Sequence, residues 1–119
     1  MWEVGVPDIR GFYPFTDGVI YDTFGSTVRK TVGNPTPSLA SWRIYSVYSA
    51  AGDWQSYLDS TSLFSTGTNT VSFSATPSFG SNGGELWTGD VAAVVFYDHK
   101  LSGTVRGNVW TYLQNKYGL

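Results

Sequence analysis

The carboxylates and the single histidine are the first places to look for chemistry in this chain. A glycosidase needs two carboxyl groups about 5 Å apart when it retains configuration, or roughly 6.5–9.5 Å apart when it inverts. Here Asp53, Asp59, Glu85, Asp90 and Asp98 are scattered along the sequence, mostly at expected strand ends, where acids ordinarily serve turns and solvation. No pair is set up for acid and base roles, so no catalytic residue is assigned and the chain is expected not to be an enzyme. His99 lies between Asp98 and Lys100. That arrangement is too local to orient the base of a nucleophile, and an exposed turn is the expected setting. Asp17, Asp22, Asp90 and Asp98 could supply oxygens to calcium, yet their spacing follows no loop-ligand pattern. The expectation is therefore no cofactor, with calcium (Ca2+) kept as the minor alternative.

Aromatic residues supply a different kind of chemistry. They make up 17% of the chain, against 13% for charged residues. A sugar would stack on exposed rings while neighbouring amides and acids bond its hydroxyls. Trp54, Gln55, Tyr57, Trp87 and Asn82 are the candidate ligand-binding residues by that criterion. The competing reading is that large rings in a small β-domain form core or interface. Around Trp42, Tyr45, Val47 and Tyr48 both readings must hold in part, because neighbours on a strand face opposite sides. Some rings must line a second surface, a partner contact or a ligand groove.

The elements that would position these residues are mostly strands. Short β-branched and aromatic runs at 11–15, 19–24, 28–32, 42–48, 54–58 and 70–73 alternate with turn signals. The clearest hairpin joins 42–48 to 54–58 through Ala50-Ala51-Gly52-Asp53, where Gly52 can take the positive φ of a tight turn. Loops are expected at 33–41, with Pro35 and Pro37, and at 74–84, with Pro77. The most apolar run, 91–97, reads as a central strand buried on both faces. Beyond Asp98-His99-Lys100 the period changes. Val105, Val109 and Leu113 recur every four residues, predicting a helix capped by Ser102 and ended by Gly118 in a left-handed conformation.

Length and charge narrow the partners. A chain of 119 residues accommodates one domain, 1–119, with a core of its own. A net charge of -2 and dispersed Lys and Arg provide no footprint for nucleic acid. The chain has no cysteine. The opening Met1-Trp2-Glu3-Val4-Gly5 has neither the basic start nor the apolar stretch of a signal peptide, and no membrane span is expected.

The segment Trp87-Thr88-Gly89-Asp90-Val91-Ala92-Ala93-Val94-Val95-Phe96-Tyr97-Asp98-His99-Lys100-Leu101-Ser102, with the ending Tyr112-Leu113-Gln114-Asn115-Lys116-Tyr117-Gly118-Leu119, resembles the close of a concanavalin A-like, laminin-G-type module. Upstream, Trp42 through Tyr57-Leu58-Asp59-Ser60 is similar to that family's paired strands, so the resemblance runs from about Trp42 to Leu119. It implies an all-β, two-sheet antiparallel jelly-roll sandwich with a short C-terminal α-helix. Ser60 stands where the family has a turn glycine, Ala93 where it has a mid-strand acid, and Val105 where it has a helix-start acid. The chain is also shorter than such modules at its N-terminal side, which predicts open sheet edges covered by another chain. The expected function is a non-enzymatic binding or structural subunit that docks on other protein chains or on itself, such as a phage virion decoration or attachment protein. The expected location is then a virion or the cell exterior. The alternative is a lectin-like carbohydrate-binding module of a larger surface protein or glycosidase.

Overall fold

A computed structural model describes residues 1–5, 10–82 and 85–119, with only the backbone described at Ser81, Asn82 and Glu85. It consists mostly of strands in small antiparallel sheets, followed by one C-terminal helix. Strands β1 (Trp2–Gly5) and β7 (Phe73–Phe79) pair with each other, as do β2 (Ile20–Asp22) and β3 (Lys30–Gly33). A three-stranded meander is built from β4 (Tyr45–Ala50), β5 (Asp53–Leu58) and β6 (Thr61–Thr66), in that order. A short ribbon joins β8 (Ser81–Asn82) to β9 (Glu85–Leu86), and α1 covers Gly103–Tyr117.

The expected hairpin is present. Ala50 pairs with Asp53 across Ala51-Gly52, and Gly52 has φ 68°. The next turn, Asp59-Ser60 between the paired Leu58 and Thr61, needs positive φ at both positions: 52° at Asp59 and 120° at Ser60. Aspartate tolerates the left-handed region, but φ near 120° is ordinarily glycine's, so Ser60 carries backbone strain. Ser60→Gly should raise stability by about 1 kcal/mol, after allowing for glycine's greater freedom when unfolded. That corresponds to about 3–5 °C in thermal denaturation. An unchanged or lower Tm would show that the turn is relaxed with serine.

Alternation builds the core. On β2, Ile20 and Asp22 point inward and Tyr21 outward; on β5, Trp54, Ser56 and Leu58 share the buried face. Trp2, Val4, Tyr13, Ile20, Val32 and Trp54 form the buried cluster, with Phe24, Tyr45, Val47 and Phe64 packed against it. Trp2 sets its ring edge-on to Tyr13 and Phe24, at centroid distances of 5.3 and 5.8 Å. Trp54 is fully buried, packs edge-on against Phe64 and donates its indole N–H to the Phe24 carbonyl at 2.9 Å.

Several expectations are corrected. The 11–15 run contributes only a bridge from Phe12 to Tyr21, because Phe15 and Gly18 close a turn immediately after it. The 70–73 run likewise contributes a bridge, from Val71 to Ser26, before β7 begins at Phe73. The loop expected from Ser74 onward is instead strand through Phe79 despite Pro77. β7 lies at the rim of a two-stranded sheet with an irregular register, where a missing N–H does little harm. Polar-rich β6 and the terminal β1 were not anticipated.

The largest correction concerns 91–97, which forms no strand. Val91, Val94, Val95, Phe96 and Tyr97 are exposed, between 40% and 59%. The helix follows its expected caps: Ser102 accepts from the Val105 N–H, and Gly118 has φ 68°, with its own N–H and that of Leu119 both bonding the Gln114 carbonyl. Even so, α1 buries no residue. Local periodicity and capping form this helix without deciding what its apolar face packs against.

Candidate functional site

On the face of the meander turned away from the core, Tyr48 and Gln55 are cross-strand partners, and Tyr57 lies two residues beyond Gln55. The Tyr57 hydroxyl donates to Gln55 Oε1 at 2.5 Å, and Gln55 Nε2 donates to Ser62 at 3.1 Å. The Tyr48 hydroxyl lies 2.9 Å from Gln55 Oε1 and 3.1 Å from Asp53 Oδ1, so one proton is shared between acceptors. The C-terminal region closes over these groups. Lys100 bonds the Asp53 carboxylate and sits 4.3 Å from the centre of the Tyr48 ring, while the Arg106 guanidinium covers the Tyr57 ring at 4.0 Å. The Lys100 hydrogen bond holds the Asp53 carboxyl below its usual range. The polar groups of Gln55 and Tyr57 are therefore engaged within the protein, while the contacts to the C-terminal region run through Asp53, Tyr48 and the Tyr57 ring.

A second polar group is buried in the core. Asp22 has no exposed surface, and its carboxylate accepts from Tyr45 at 2.7 Å, the Phe24 N–H at 2.8 Å and the Trp2 indole N–H at 3.3 Å. Burial raises its pKa from the ordinary value, while the hydrogen bonds it accepts, that of Tyr45 among them, work to lower it. Burial first, and then the charge of Asp22, push the Tyr13 and Tyr45 hydroxyls well up. Sequence reasoning counted Asp22 among calcium ligands and missed this role. The usable signal was the alternation Ile20-Tyr21-Asp22, which sets the carboxylate on the same inward face as Ile20.

Between the meander and the C-terminal region lies a cleft of about 920 Å³. Its walls include Tyr45 and Val47 on β4, Trp87, Val94, Phe96 and Trp110. Phe96 stacks on Phe24 across it, with centroids 6.4 Å apart and planes 11° from parallel. The indole N–H groups of Trp87 and Trp110 are buried with no acceptor among the described residues. Each can only donate, so the cleft has hydrogen-bonding capacity that the described residues do not use.

The sequence-derived ligand residues thus separate. Trp54 is core and out of reach of a ligand, Gln55 and Tyr57 join one polar network, and Trp87 lines the cleft. The Asn82 side chain lies outside the described residues. Of the anticipated aromatic face, Tyr45 and Val47 turn toward the core, Tyr48 turns to the opposite side, and Trp42 remains 55% exposed. Trp42 borders a pocket of about 130 Å³ with Arg43, Asp59, Trp110 and Gln114. Arg43 pairs with Asp59 at 3.3 Å, and Asp59 also accepts from the Ile44 N–H. His99 is exposed, 2.6 Å from Asp98. Among the described residues, no group of three His, Asp or Glu side chains is gathered around a common point for a metal ion, and no helix is long and apolar enough to cross a membrane.

Comparison of this chain with family models, curated proteins and solved structures finds no match.

Proposed function

We propose that this chain is a non-enzymatic binding and structural module that docks on other protein chains through the apolar surface of its C-terminal region. One observation carries the reading: the uncharged run 91–97 is exposed, belongs to no sheet, and lines the same cleft as β4, an outer strand of the β4–β5–β6 meander. Contiguous apolar surface of this kind marks an interaction site in a soluble protein. The jelly-roll arrangement implied by the laminin-G-type resemblance belongs to the same proposal, as does the setting in a large assembly such as a virion. The β4–β5 hairpin and the capped helix support the resemblance.

Light scattering over a concentration series tests the reading. The expected result is a mass above 13.0 kDa that rises with concentration. It should fall back in Val94→Lys, which charges the apolar surface. A monomer at every concentration, with no difference between parent and variant, would remove the support for docking.

A second reading, a carbohydrate-binding module, is favoured by the Trp42 pocket. There an exposed indole stands beside Arg43, Asp59 and Gln114, groups able to bond sugar hydroxyls. Repeating the measurement with a mixed glycan pool, on the parent and on Trp42→Ala, separates the two readings.

A further inference from the structure

Resting on the docking reading above, we infer that the partner is a second copy of this chain, and that two copies exchange strands: the 91–97 segment of each pairs with the open edge of β4 in the other.

The argument begins with the backbone of β4. The Asp59 N–H bonds the Ile44 carbonyl at 2.9 Å, and the register runs on through Ser46↔Tyr57, Tyr48↔Gln55 and Ala50↔Asp53. Hydrogen-bonded pairs alternate with non-bonded ones in an antiparallel ladder. Even-numbered residues of β4 therefore bond β5, and the N–H and C=O groups of Tyr45, Val47 and Ser49 point to the other side. β4 is the outer strand of its sheet, and no strand among the described residues pairs with that side. Open edges are ordinarily blunted by Lys, Pro or an inward-pointing charge. β4 reads Tyr-Ser-Val-Tyr-Ser-Ala and has none of these.

The complementary half is on the same chain. Residues 91–97 read Val-Ala-Ala-Val-Val-Phe-Tyr, with high β-propensity and no charge, proline or glycine. Among the described residues they belong to no ladder. The cleft that lines the open β4 edge also contains the indole N–H groups of Trp87 and Trp110, which have no acceptor among the described residues. An incoming strand brings carbonyl acceptors, which an apolar ligand would not. A chain carrying both an unblocked edge and an unpaired segment of high β-propensity is self-complementary, the condition for a closed two-fold pair. Phe96 and Tyr97, about half exposed, together offer on the order of 200 Å² of ring surface per copy. The exposed Val91, Val94 and Val95 and the covered edge add to that in both copies, and a stable pair requires about 1,200–2,000 Å² in total.

Light scattering and amide hydrogen exchange on the full chain test this. The expected species is a dimer of twice 13.0 kDa. Val47→Pro removes an outward N–H without touching the β4–β5 ladder, and Val95→Lys charges the exchanged segment; each alone should be monomeric while keeping the parent's circular dichroism. Mixing the two variants should restore part of the dimer, because one of the two exchanges is then intact. In the parent, the amides of Tyr45, Val47 and Ser49 should gain protection as concentration rises. An oligomer that persists in Val47→Pro with the amides of Tyr45 and Ser49 unprotected overturns strand exchange and leaves docking in place. A parent that is monomeric throughout overturns both. Should Val47→Pro fail to fold, the parent's amide protection decides alone.

Discussion

Asp22→Ala is expected to lower the free energy of unfolding by about 3–5 kcal/mol. The carboxylate is fully buried and accepts from Trp2, Phe24 and Tyr45. Each donor left without an acceptor in the core costs about 1–3 kcal/mol. Asp22→Asn keeps an oxygen for Trp2 and Phe24 and offers Tyr45 a group to which its hydroxyl can turn. Its cost should stay within about 1 kcal/mol at neutral pH. Urea unfolding of the two variants beside the parent measures the difference, and equal costs would show that the hydrogen bonds are not what Asp22 provides.

The same pair predicts a pH dependence. Burial raises the Asp22 pKa in the folded state above its unfolded value of about 3.9. The folded state then holds the proton more tightly, so the Asp22 contribution is most favourable below the unfolded pKa. It declines as pH rises through the folded pKa and is level above it. Asp53 and Asp98 are shifted the opposite way, through Lys100 and His99, and favour the folded state as pH rises from acid. Subtracting the Asp22→Asn profile from the parent's cancels those contributions. The remainder should fall with rising pH just above 3.9. A remainder that rises there would mean that the hydrogen bonds, rather than burial, dominate the carboxyl.

Gly5→Ala should cost about 3 kcal/mol or more, at the top of the range for overpacking. A β-carbon on Gly5 would stand 2.3 Å from the Thr23 carbonyl oxygen and 2.6 Å from that of Ser26. Both obstacles are backbone, so no rotamer change relieves them, and β1 would have to lift off the 23–26 turn. That movement would also draw Trp2 away from Asp22. Gly67→Ala is the control: nothing lies within 4 Å of its added carbon, and its stability should stay within about 0.5 kcal/mol of the parent. Chemical denaturation of both variants checks the contrast, and a small loss in Gly5→Ala would mean that β1 does not approach the turn so closely.

The candidate site was legible in the sequence only in part. Gln55 and Tyr57 share a strand face by two-residue alternation, and that much can be read from spacing. Their enclosure by Lys100 and Arg106 cannot, since those residues lie more than forty positions downstream. Trp54 shows the limit of residue type as a guide: an indole suits a sugar platform and a core equally, and only its inward place on β5 assigns it to the core. Trp42 is the reverse case. It stands outside the regular strand, where alternation says nothing, and its exposure beside Arg43 and Gln114 emerges only when α1 and the start of β4 come together.

What the sequence by itself determined is local. Gly52 and its neighbours set the β4–β5 hairpin, Ser102 and Gly118 bound the helix, and alternation along β2 and β5 selects the inward side chains. Each of these rests on backbone sterics or on hydrogen bonds between residues close in the chain. Tertiary structure alone decided the rest: that Asp22 is enclosed by residues from three separate segments, that β7 accepts Pro77, and that 91–97 stays out of a ladder. A strand requires partners whose positions are set by the whole chain, whereas a capped helix satisfies most of its backbone within itself. That is why the helix was legible from its ends while the most apolar run in the sequence was not.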